Sequence, residues 1–112
     1  MTQMTRTSSG LYYQDLVVGE GEVAAAGGDV TVHYTGWLHD GTQVDTSAGG
    51  DPLSFNLLQV IAGWGEGVPG MRVGGTRKLV VPPHLGYGSA GYPGVIPANA
   101  TLVFDIELLA VG

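Results

Sequence analysis

The usual arrangements of residues for acid-base, nucleophilic or metal chemistry are mostly missing from this sequence. Cysteine is absent, which excludes a thiol nucleophile, a disulfide framework and a cysteine-ligated metal. The three histidines, His33, His39 and His84, lack the spacing of metal ligands. The sequence contains no Ser-His-Asp order, no H-E-x-x-H motif, no P-loop and no dinucleotide fingerprint. We therefore expect neither a metal nor an organic cofactor.

The residues that remain for a functional site are aromatic and aliphatic. Tyr34 and Phe104 occupy inward positions of predicted strands, and Trp64 shares one face of a predicted helix with Val60 and Ile61. Together such side chains can line an apolar binding pocket. In a fold of unknown type, each of them alone would more often belong to the core. Only the joint pattern favours a pocket.

The strand that carries Tyr34 is predicted from strict alternation. Val30, Val32 and Tyr34 fall on one face, and two threonines and a histidine fall on the other. An Asp40-Gly41 turn signal follows, and a return strand is predicted over residues 43–45. We therefore expect a β-hairpin with Tyr34 facing inward.

Three more strands are predicted along the chain. The clearest alternation runs from Thr101 to Leu109 and places Phe104 on its apolar face. A strand from Thr76 to Val81 is closed by Pro82-Pro83, because proline donates no ladder hydrogen bond. The segment from Leu11 to Val18 shows a weaker strand pattern.

One stretch, from Leu57 to Trp64, has helical spacing of apolar residues, and Gly63 and Gly65 limit it to about two turns. Isolated helices of fewer than about 12 residues are marginal in water, so packing must hold this one. Several antiparallel strands wrapped over one short helix make an α+β domain.

The segment between Val81 and Ala100 is rich in proline and glycine and has no strand or helix periodicity. Loops longer than about 12–15 residues in compact domains are usually functional or disordered. This loop contains Tyr87 and Tyr92 and ends in an apolar stretch at residues 95–97. We interpret it as an ordered, functional loop whose tyrosines form a rim, the alternative being a long surface meander.

Length and charge narrow the possible function classes. The chain has 112 residues, which suits one domain. Ten acidic and four basic residues give a net charge of -6, the wrong sign for a nucleic-acid partner. No apolar run has the length of a signal peptide or a membrane span. We expect a cytoplasmic monomer with a flexible tail over residues 1–9 and no membrane association.

The joint pattern closely resembles one family, the FKBP-type peptidyl-prolyl cis/trans isomerases. The order and spacing of these motifs are similar to the family's: Val32-His33-Tyr34-Thr35-Gly36, Asp40-Gly41, Val44-Asp45-Thr46-Ser47, Val60-Ile61-Ala62-Gly63-Trp64, Gly67-Val68, Gly70-Met71-Arg72-Val73-Gly74, Leu85-Gly86-Tyr87-Gly88, the run Ile96 to Asp105, and Glu107-Leu108-Leu109. The resemblance implies that residues 10–112 form one isomerase domain, in which a curved antiparallel sheet, or half-barrel, wraps around one short α-helix.

The resemblance also implies an enzyme that accelerates isomerisation of Xaa-Pro bonds in protein folding. Its partners would be proline-containing peptides or proteins, and macrolides of the rapamycin class. The positions implied for catalysis are Tyr34, Asp45, Trp64, Tyr87 and Phe104. The positions implied for substrate binding are Val44, Leu53, Phe55, Val60, Ile61, Leu85, Tyr92 and Ile96. In this scheme the Tyr87 hydroxyl and the Ile61 N–H orient substrate carbonyls.

The chain departs from the family pattern around the pocket. Val44 and Leu53 stand where aromatic residues are usual, which predicts a wider pocket and weaker turnover. Leu85 likewise occupies a rim position that is commonly aromatic. The loop after Asp45 lacks the arginine that pairs with the pocket aspartate in some members, so we expect Asp45 to be less firmly oriented.

Two other interpretations stay open on the sequence alone. A binding or chaperone module would hold proline-containing segments but catalyse poorly, and Val44 and Leu53 favour it. A structural or interaction domain without a pocket would use the aromatic residues as core and the long loop as a lid. An isomerisation assay separates the first from the enzyme, and macrolide binding separates the second.

Overall fold

The computed structural model describes residues 4–112, which form an open antiparallel sheet of seven strands with one short α-helix. The predicted α+β class is therefore confirmed. Along the chain the elements are β1 (Thr5–Arg6), β2 (Tyr12–Val17), β3 (Asp29–Leu38), β4 (Gln43–Thr46), β5 (Leu53–Asn56), α1 (Ala62–Gly67), β6 (Thr76–Val81), a 3-10 helix (Pro83–Leu85) and β7 (Leu102–Val111).

Strand β3 lies at the centre of the site-forming part of the sheet. The strand order is β1-β2-β6-β7-β3-β4, and β5 also pairs with β3. One edge of β3 pairs with β7 along its whole length, and the other is shared by β5 and β4. Because β3 contacts three strands, side chains from β4, β5 and β7 converge on Tyr34.

Alternation along the strands places the core on one face of the sheet. Val30 and Val32 of β3 are buried, as are the four alternate residues of β7 predicted to face inward. The bounds predicted for β6 are those observed, and the predicted hairpin forms between β3 and β4. At its tip, Asp40 Oδ1 accepts the Thr42 N–H at 2.9 Å and Gly41 has a φ of 93°. The turn chemistry therefore matches the Asp-Gly signal.

Helix α1 lies very close to β6 because two of its three glycines face that strand. A Cβ at Gly63 would lie 2.6 Å from Val81 Cγ1, and one at Gly67 would lie 2.7 Å from Leu79 Cδ2. These glycines are four residues apart, so they face β6 together. A helix with such poor propensity forms here because its packing against the sheet replaces what the sequence lacks.

The helix begins later than predicted. Residues 57–60, expected to be helical, form turns, since Asn56 Oδ1 accepts the Leu58 N–H at 2.9 Å and Asn56 O accepts the Gln59 N–H at 2.9 Å. Ile61 is extended, with ψ of 149°, and immediately precedes the helix. The asparagine side chain thus competes with helix formation.

In residues 4–112, no helix is long and apolar enough to cross a membrane.

Two strands were absent from the sequence-based prediction. Strand β5 pairs with the first half of β3, from Asp29↔Asn56 to Val32↔Leu53. Strand β1 lies inside the segment predicted as a flexible tail and pairs with β2. Beyond β1, the Ser9 hydroxyl donates to the Glu66 carboxylate at 2.6 Å, so this segment is joined to α1. The part of the tail prediction that concerns residues 1–3 lies outside the described residues.

The long loop between β6 and β7 has its own hydrogen bonds. It starts with the 3-10 helix, and Tyr92 and Ile96 exchange two backbone hydrogen bonds, each of 2.8 Å. Farther along, the Asn99 N–H donates to Gly88 O at 2.8 Å while Asn99 has a φ of 57°. Asparagine tolerates this left-handed conformation better than most residues. The loop is therefore held in one shape.

Arg77 is a buried cation that joins β6 to β2 and to the end of α1. It is 9% exposed. Its Nε donates to Asp15 Oδ1 at 2.7 Å, and its Nη1 donates to Gly67 O at 2.8 Å. The guanidinium carbon also lies 4.9 Å from the centre of the Tyr13 ring. One side chain thus satisfies a carboxylate and the last carbonyl of the helix.

Replacing Arg77 with methionine should lower the free energy of unfolding by about 2–3 kcal/mol, because Asp15 and the Gly67 carbonyl lose their charged donor. Urea denaturation measures the change. Arg72→Met is the matched control, since Arg72 is exposed and makes one hydrogen bond, to Gly21 O. Its loss should stay below about 1 kcal/mol. Equal losses in the two variants would contradict this role for Arg77.

Candidate active site

The indole of Trp64 is the floor of an aromatic cluster. It is 4% exposed. Three rings surround it edge-to-face: Tyr34 at 5.1 Å and 84°, Phe55 at 5.4 Å and 80°, and Phe104 at 5.4 Å and 89°, measured between ring centres and planes. Perpendicular packing of this kind is the geometry that aromatic pairs prefer. The four rings therefore hold one another in position.

Each ring of this cluster comes from a different element. Tyr34 projects from β3, Phe55 from β5, Phe104 from β7 and Trp64 from α1. Gly36 makes room for Phe104, since a Cβ at position 36 would lie 2.7 Å from Phe104 Cε1. Gly36 and Phe104 are direct partners in the β3–β7 ladder. The cluster therefore depends on strand register as well as on residue type.

Asp45 is held firmly at the wall of the site. Tyr34 Oη donates to Asp45 Oδ2 at 2.5 Å, and the Thr46 N–H donates to Asp45 Oδ1 at 2.9 Å. Asp45 was expected to be less firmly oriented for want of an arginine, but two other donors hold its carboxylate here. A neighbouring phenol and a backbone amide perform the orienting role for which the sequence analysis sought an arginine.

The same hydrogen bond affects the titration of Tyr34. Burial, the hydrogen bond to Asp45 and the negative charge of Asp45 raise the pKa of the Tyr34 phenol well above its ordinary value. The pKa of Tyr87 is also raised, by burial, then by the negative charge of Asp45 and by the neighbouring Tyr92 phenol. Both hydroxyls are consequently protonated, and able to donate, throughout the physiological pH range.

A cavity of about 310 Å³ opens above the Trp64 indole. Its lining unites nine residues: Tyr34, Asp45, Phe55, Gln59, Val60, Ile61, Trp64, Tyr87 and Phe104. The structure thus brings together all five residues predicted for catalysis and three of those predicted for binding. A mostly apolar cavity with a few polar groups is typical of a small-ligand site. We name it the prolyl cavity, after the ligand that the family resemblance implies for these positions.

A second cavity, of about 390 Å³, adjoins the first. It shares Asp45, Tyr87 and Phe104 with the prolyl cavity and adds Val44, Tyr92, Val95 and Ile96. The rings of Tyr87 and Tyr92 pack edge-to-face at 5.8 Å, as expected for a rim built from the long loop. Because Asp45 lines both cavities, they form one groove with Asp45 between them. We name the second one the rim cavity.

Two predicted binding residues line neither cavity. Leu53 lies on β5, is 42% exposed and pairs with Val32, whereas Leu85 ends the 3-10 helix and packs against the core. Gln59 and Val95 line the cavities but were missed by the sequence analysis. Both precede a predicted site residue, which was the only signal available.

The donors predicted to orient substrate carbonyls are not engaged within the protein. Among residues 4–112, neither the Ile61 N–H nor the Tyr87 hydroxyl donates a hydrogen bond to a protein acceptor. Ile61 lies at the start of α1, and Tyr87 lies across the prolyl cavity in the long loop. Both donors are therefore available to a bound ligand.

The histidines take no part in this site. His33 Nδ1 lies 2.9 Å from Ser47 Oγ, and His84 Nε2 lies 2.6 Å from Ser9 O. His33 is half-buried beside Ser47. Within the described part of the chain, no group of three or more His, Asp or Glu side chains could hold a metal ion.

Comparison with known proteins decides the family. The model of the FKBP-type peptidyl-prolyl cis-trans isomerase domain matches residues 20–109. The chain belongs to this family. It is 51% identical over 105 residues to the FK506-binding protein of Neisseria meningitidis serogroup B, covering 91% of this chain and 96% of that protein. It is therefore a peptidyl-prolyl cis-trans isomerase.

Other similar proteins match this chain over part or all of their length. FkpA of Escherichia coli K12 is 52% identical over 106 residues, which are 94% of this chain but 39% of FkpA. The crystal structure of Escherichia coli FkpA has a TM-score of 0.90 at 50% identity, covering 96% of this chain and 51% of that one. The crystal structure of AtFKBP13 also has a TM-score of 0.90, at 36% identity, and covers 99% of this chain and 100% of that one.

The raised pKa of Tyr34 predicts how stability changes at alkaline pH. Above about pH 10 an unfolded tyrosine loses its proton, while folded Tyr34 keeps it. This contribution to stability is therefore complete below pH 10 and is lost as the pH rises further. The free energy of unfolding should fall more steeply above pH 10 in the wild type than in Tyr34→Phe, as measured by urea denaturation.

Tyr12→Phe is the control for this measurement, because it removes an exposed tyrosine that lies outside the site. Its free energy of unfolding should follow the wild-type slope. If Tyr34→Phe showed that slope as well, Tyr34 would not hold its proton in the way described.

Proposed function

We propose that this enzyme binds the proline of an Xaa-Pro segment in the prolyl cavity and favours the twisted form of the amide. The prolyl ring lies over the Trp64 indole, between Tyr34, Phe55 and Phe104. The observation that carries the proposal is the perpendicular arrangement of these four rings around one apolar cavity. The cavity matches a compact, uncharged ring.

The chemistry of the reaction explains why such a cavity suffices. Amide resonance imposes a rotation barrier of about 18–20 kcal/mol, and no bond has to be broken to cross it. The planar amide is more dipolar than the twisted one, so surroundings with little water favour the twisted state. The enzyme therefore needs no nucleophile, metal or strong base, which agrees with the residues that line the cavity.

Two donors orient the substrate in this mechanism. The Ile61 N–H lies at the start of α1 and the Tyr87 hydroxyl lies in the long loop, and both residues line the prolyl cavity. Neither donor has an acceptor among the described residues. Each would donate to a substrate carbonyl, which fixes the chain on one side of the proline while the other side rotates. Binding energy from these contacts holds the segment in place during rotation.

Asp45 contributes electrostatics at the wall of the groove. Tyr34 and Thr46 donate to the Asp45 carboxylate, and Asp45 lines the prolyl cavity from β4. The charge therefore acts on the substrate from the side. The Tyr34 hydroxyl is occupied by this contact, which leaves its ring as the part that meets the proline.

Macrolides of the rapamycin class form part of the proposal. A relative that is 51% identical to this chain is named FK506-binding protein. The prolyl and rim cavities together offer about 310 and 390 Å³ of adjoining, mostly apolar space to a large ring. In the proposed mode the macrolide occupies the groove and competes with the substrate, so it should inhibit isomerisation one to one.

The monomeric state is also proposed. The sheet ends in the short strands β1, of two residues, and β4, of four. Short edge strands disfavour pairing between sheets of two molecules. Sedimentation equilibrium measures the mass directly. The cytoplasmic location rests on the sequence alone and stays a prediction that cell fractionation tests.

Wild-type protein should accelerate isomerisation of a proline-containing tetrapeptide, and Tyr87→Phe should lower kcat/KM by about two- to tenfold, because one neutral hydrogen bond to the substrate is lost. A protease-free assay follows the reaction. Tyr92→Phe is the matched control, since it removes a hydroxyl at the rim and keeps the ring contact with Tyr87.

Tyr92→Phe should retain more than half of the wild-type kcat/KM. Equal activity of wild type and Tyr87→Phe would remove Tyr87 from the mechanism. Absence of acceleration by the wild type would overturn the proposed function itself.

A further inference from the structure

The groove contains one charged side chain. Of all the residues that line the prolyl and rim cavities, Asp45 alone carries a charge at neutral pH. Asp45 belongs to both cavities, so its carboxylate lies where they meet. A substrate that fills the prolyl cavity and extends into the rim cavity must pass this carboxylate.

The Asp45 carboxylate has neutral partners and no cation. Its two hydrogen bonds come from a phenol and a backbone amide, one to each oxygen. A carboxylate oxygen has two acceptor sites, so each oxygen can accept another donor. The ion pairs found among residues 4–112 are Arg77 with Asp15 and Lys78 with Asp105. The charge of Asp45 is therefore not neutralised by the protein.

The sheet order keeps the basic residues away from this charge. Arg77 and Lys78 lie on β6, Arg72 lies just before β6, and Arg6 lies on β1, whereas Asp45 lies on β4. Strands β7 and β3 separate β6 from β4. Arg77 is paired with Asp15 and Lys78 with Asp105, and the Lys78 ammonium lies over the Trp37 ring, on the outer face of β3. Among the described residues, none of these cations forms an ion pair with Asp45.

We propose that this groove selects substrates by charge and prefers Xaa-Pro segments with a lysine or arginine beside the proline over those with an aspartate or glutamate. The inference rests on the proposed binding of proline over Trp64. A cationic side chain next to the proline supplies the partner that Asp45 lacks, and an anionic one meets the only charge in the groove. The selectivity belongs to this chain because its β4–β5 loop provides no arginine.

Two tetrapeptide series test this selectivity, one varying the residue before proline and one varying the residue after it. In each, the varied residue is lysine, glutamine, glutamate or leucine, and kcat/KM is measured at low salt. In at least one series, lysine should exceed glutamine by about two- to fivefold, and glutamate should fall below glutamine by a similar factor. Both differences in kcat/KM should vanish at about 0.5 M salt.

Substitutions at Val95 separate the local effect from the net charge of the protein. Val95 is 46% exposed and lines the rim cavity together with Asp45. Val95→Lys brings a cation into the groove and should abolish the preference for lysine peptides. Val95→Gln introduces an uncharged side chain closer in length to lysine and should retain the preference. Glu20→Gln changes the net charge at an exposed site after β2 and should also retain it.

The outcomes divide cleanly. Turnover of the leucine peptides without discrimination between lysine and glutamate in either series overturns the charge selectivity and leaves the isomerase mechanism standing. If Val95→Lys and Val95→Gln change the discrimination between lysine and glutamate peptides equally, the discrimination arises from the shape of the groove. That result also overturns the proposal. Absence of turnover for every peptide overturns the proposed function, and the charge selectivity with it.

Discussion

The close approach of α1 to β6 is the constraint on which the site depends. Gly63 and Gly67 allow the helix to lie directly on Val81 and Leu79. Trp64, between these glycines in the sequence, is then directed at Tyr34, Phe55 and Phe104 from three strands. Any side chain at either glycine would move the helix and the indole with it. The intrinsic weakness of this helix is thus a consequence of the position its tryptophan must take.

The polar part of the site is organised around the same cluster. Tyr34 contributes its ring to the apolar wall and its hydroxyl to Asp45, so one residue fixes both the wall and the charge. The remaining donors, at Ile61 and Tyr87, have no protein acceptor among residues 4–112. The site therefore provides shape, little water and a few fixed dipoles, which is what rotation about an amide requires.

Much of this arrangement could be predicted from the sequence, because apolar residues alternate along the first half of β3 and along β7 and face the core there. The inward positions of Tyr34 and Phe104 follow from that alternation. Strand β5 was missed because it has only four residues, two exposed and two half-buried, so its burial follows no alternating pattern. The start of α1 was misplaced because the Asn56 side chain caps a turn where apolar spacing alone favours helix.

Details of the site depend on contacts between residues that are distant in the sequence. The sequence alone does not show which of these residues are in contact. The firm orientation of Asp45 arises from Tyr34, eleven residues earlier, through the β3–β4 register. Leu53 and Leu85 lie outside the groove, and Gln59 and Val95 lie within it, because loop geometry determines which neighbour of a site residue faces the cavity. Resemblance to a family locates positions, whereas packing decides their contacts.

The central claim is that catalysis takes place over the Trp64 indole, and comparison of the two tryptophans tests it most directly. Trp37 lies on the outer face of β3, near Lys78, and serves as the matched control. In a proline-limited refolding reaction, folded Trp64→Leu should lose about tenfold or more of the catalytic rate, and Trp37→Leu should retain most of it. Equal catalysis by both variants, each shown to be folded by circular dichroism, would contradict the account.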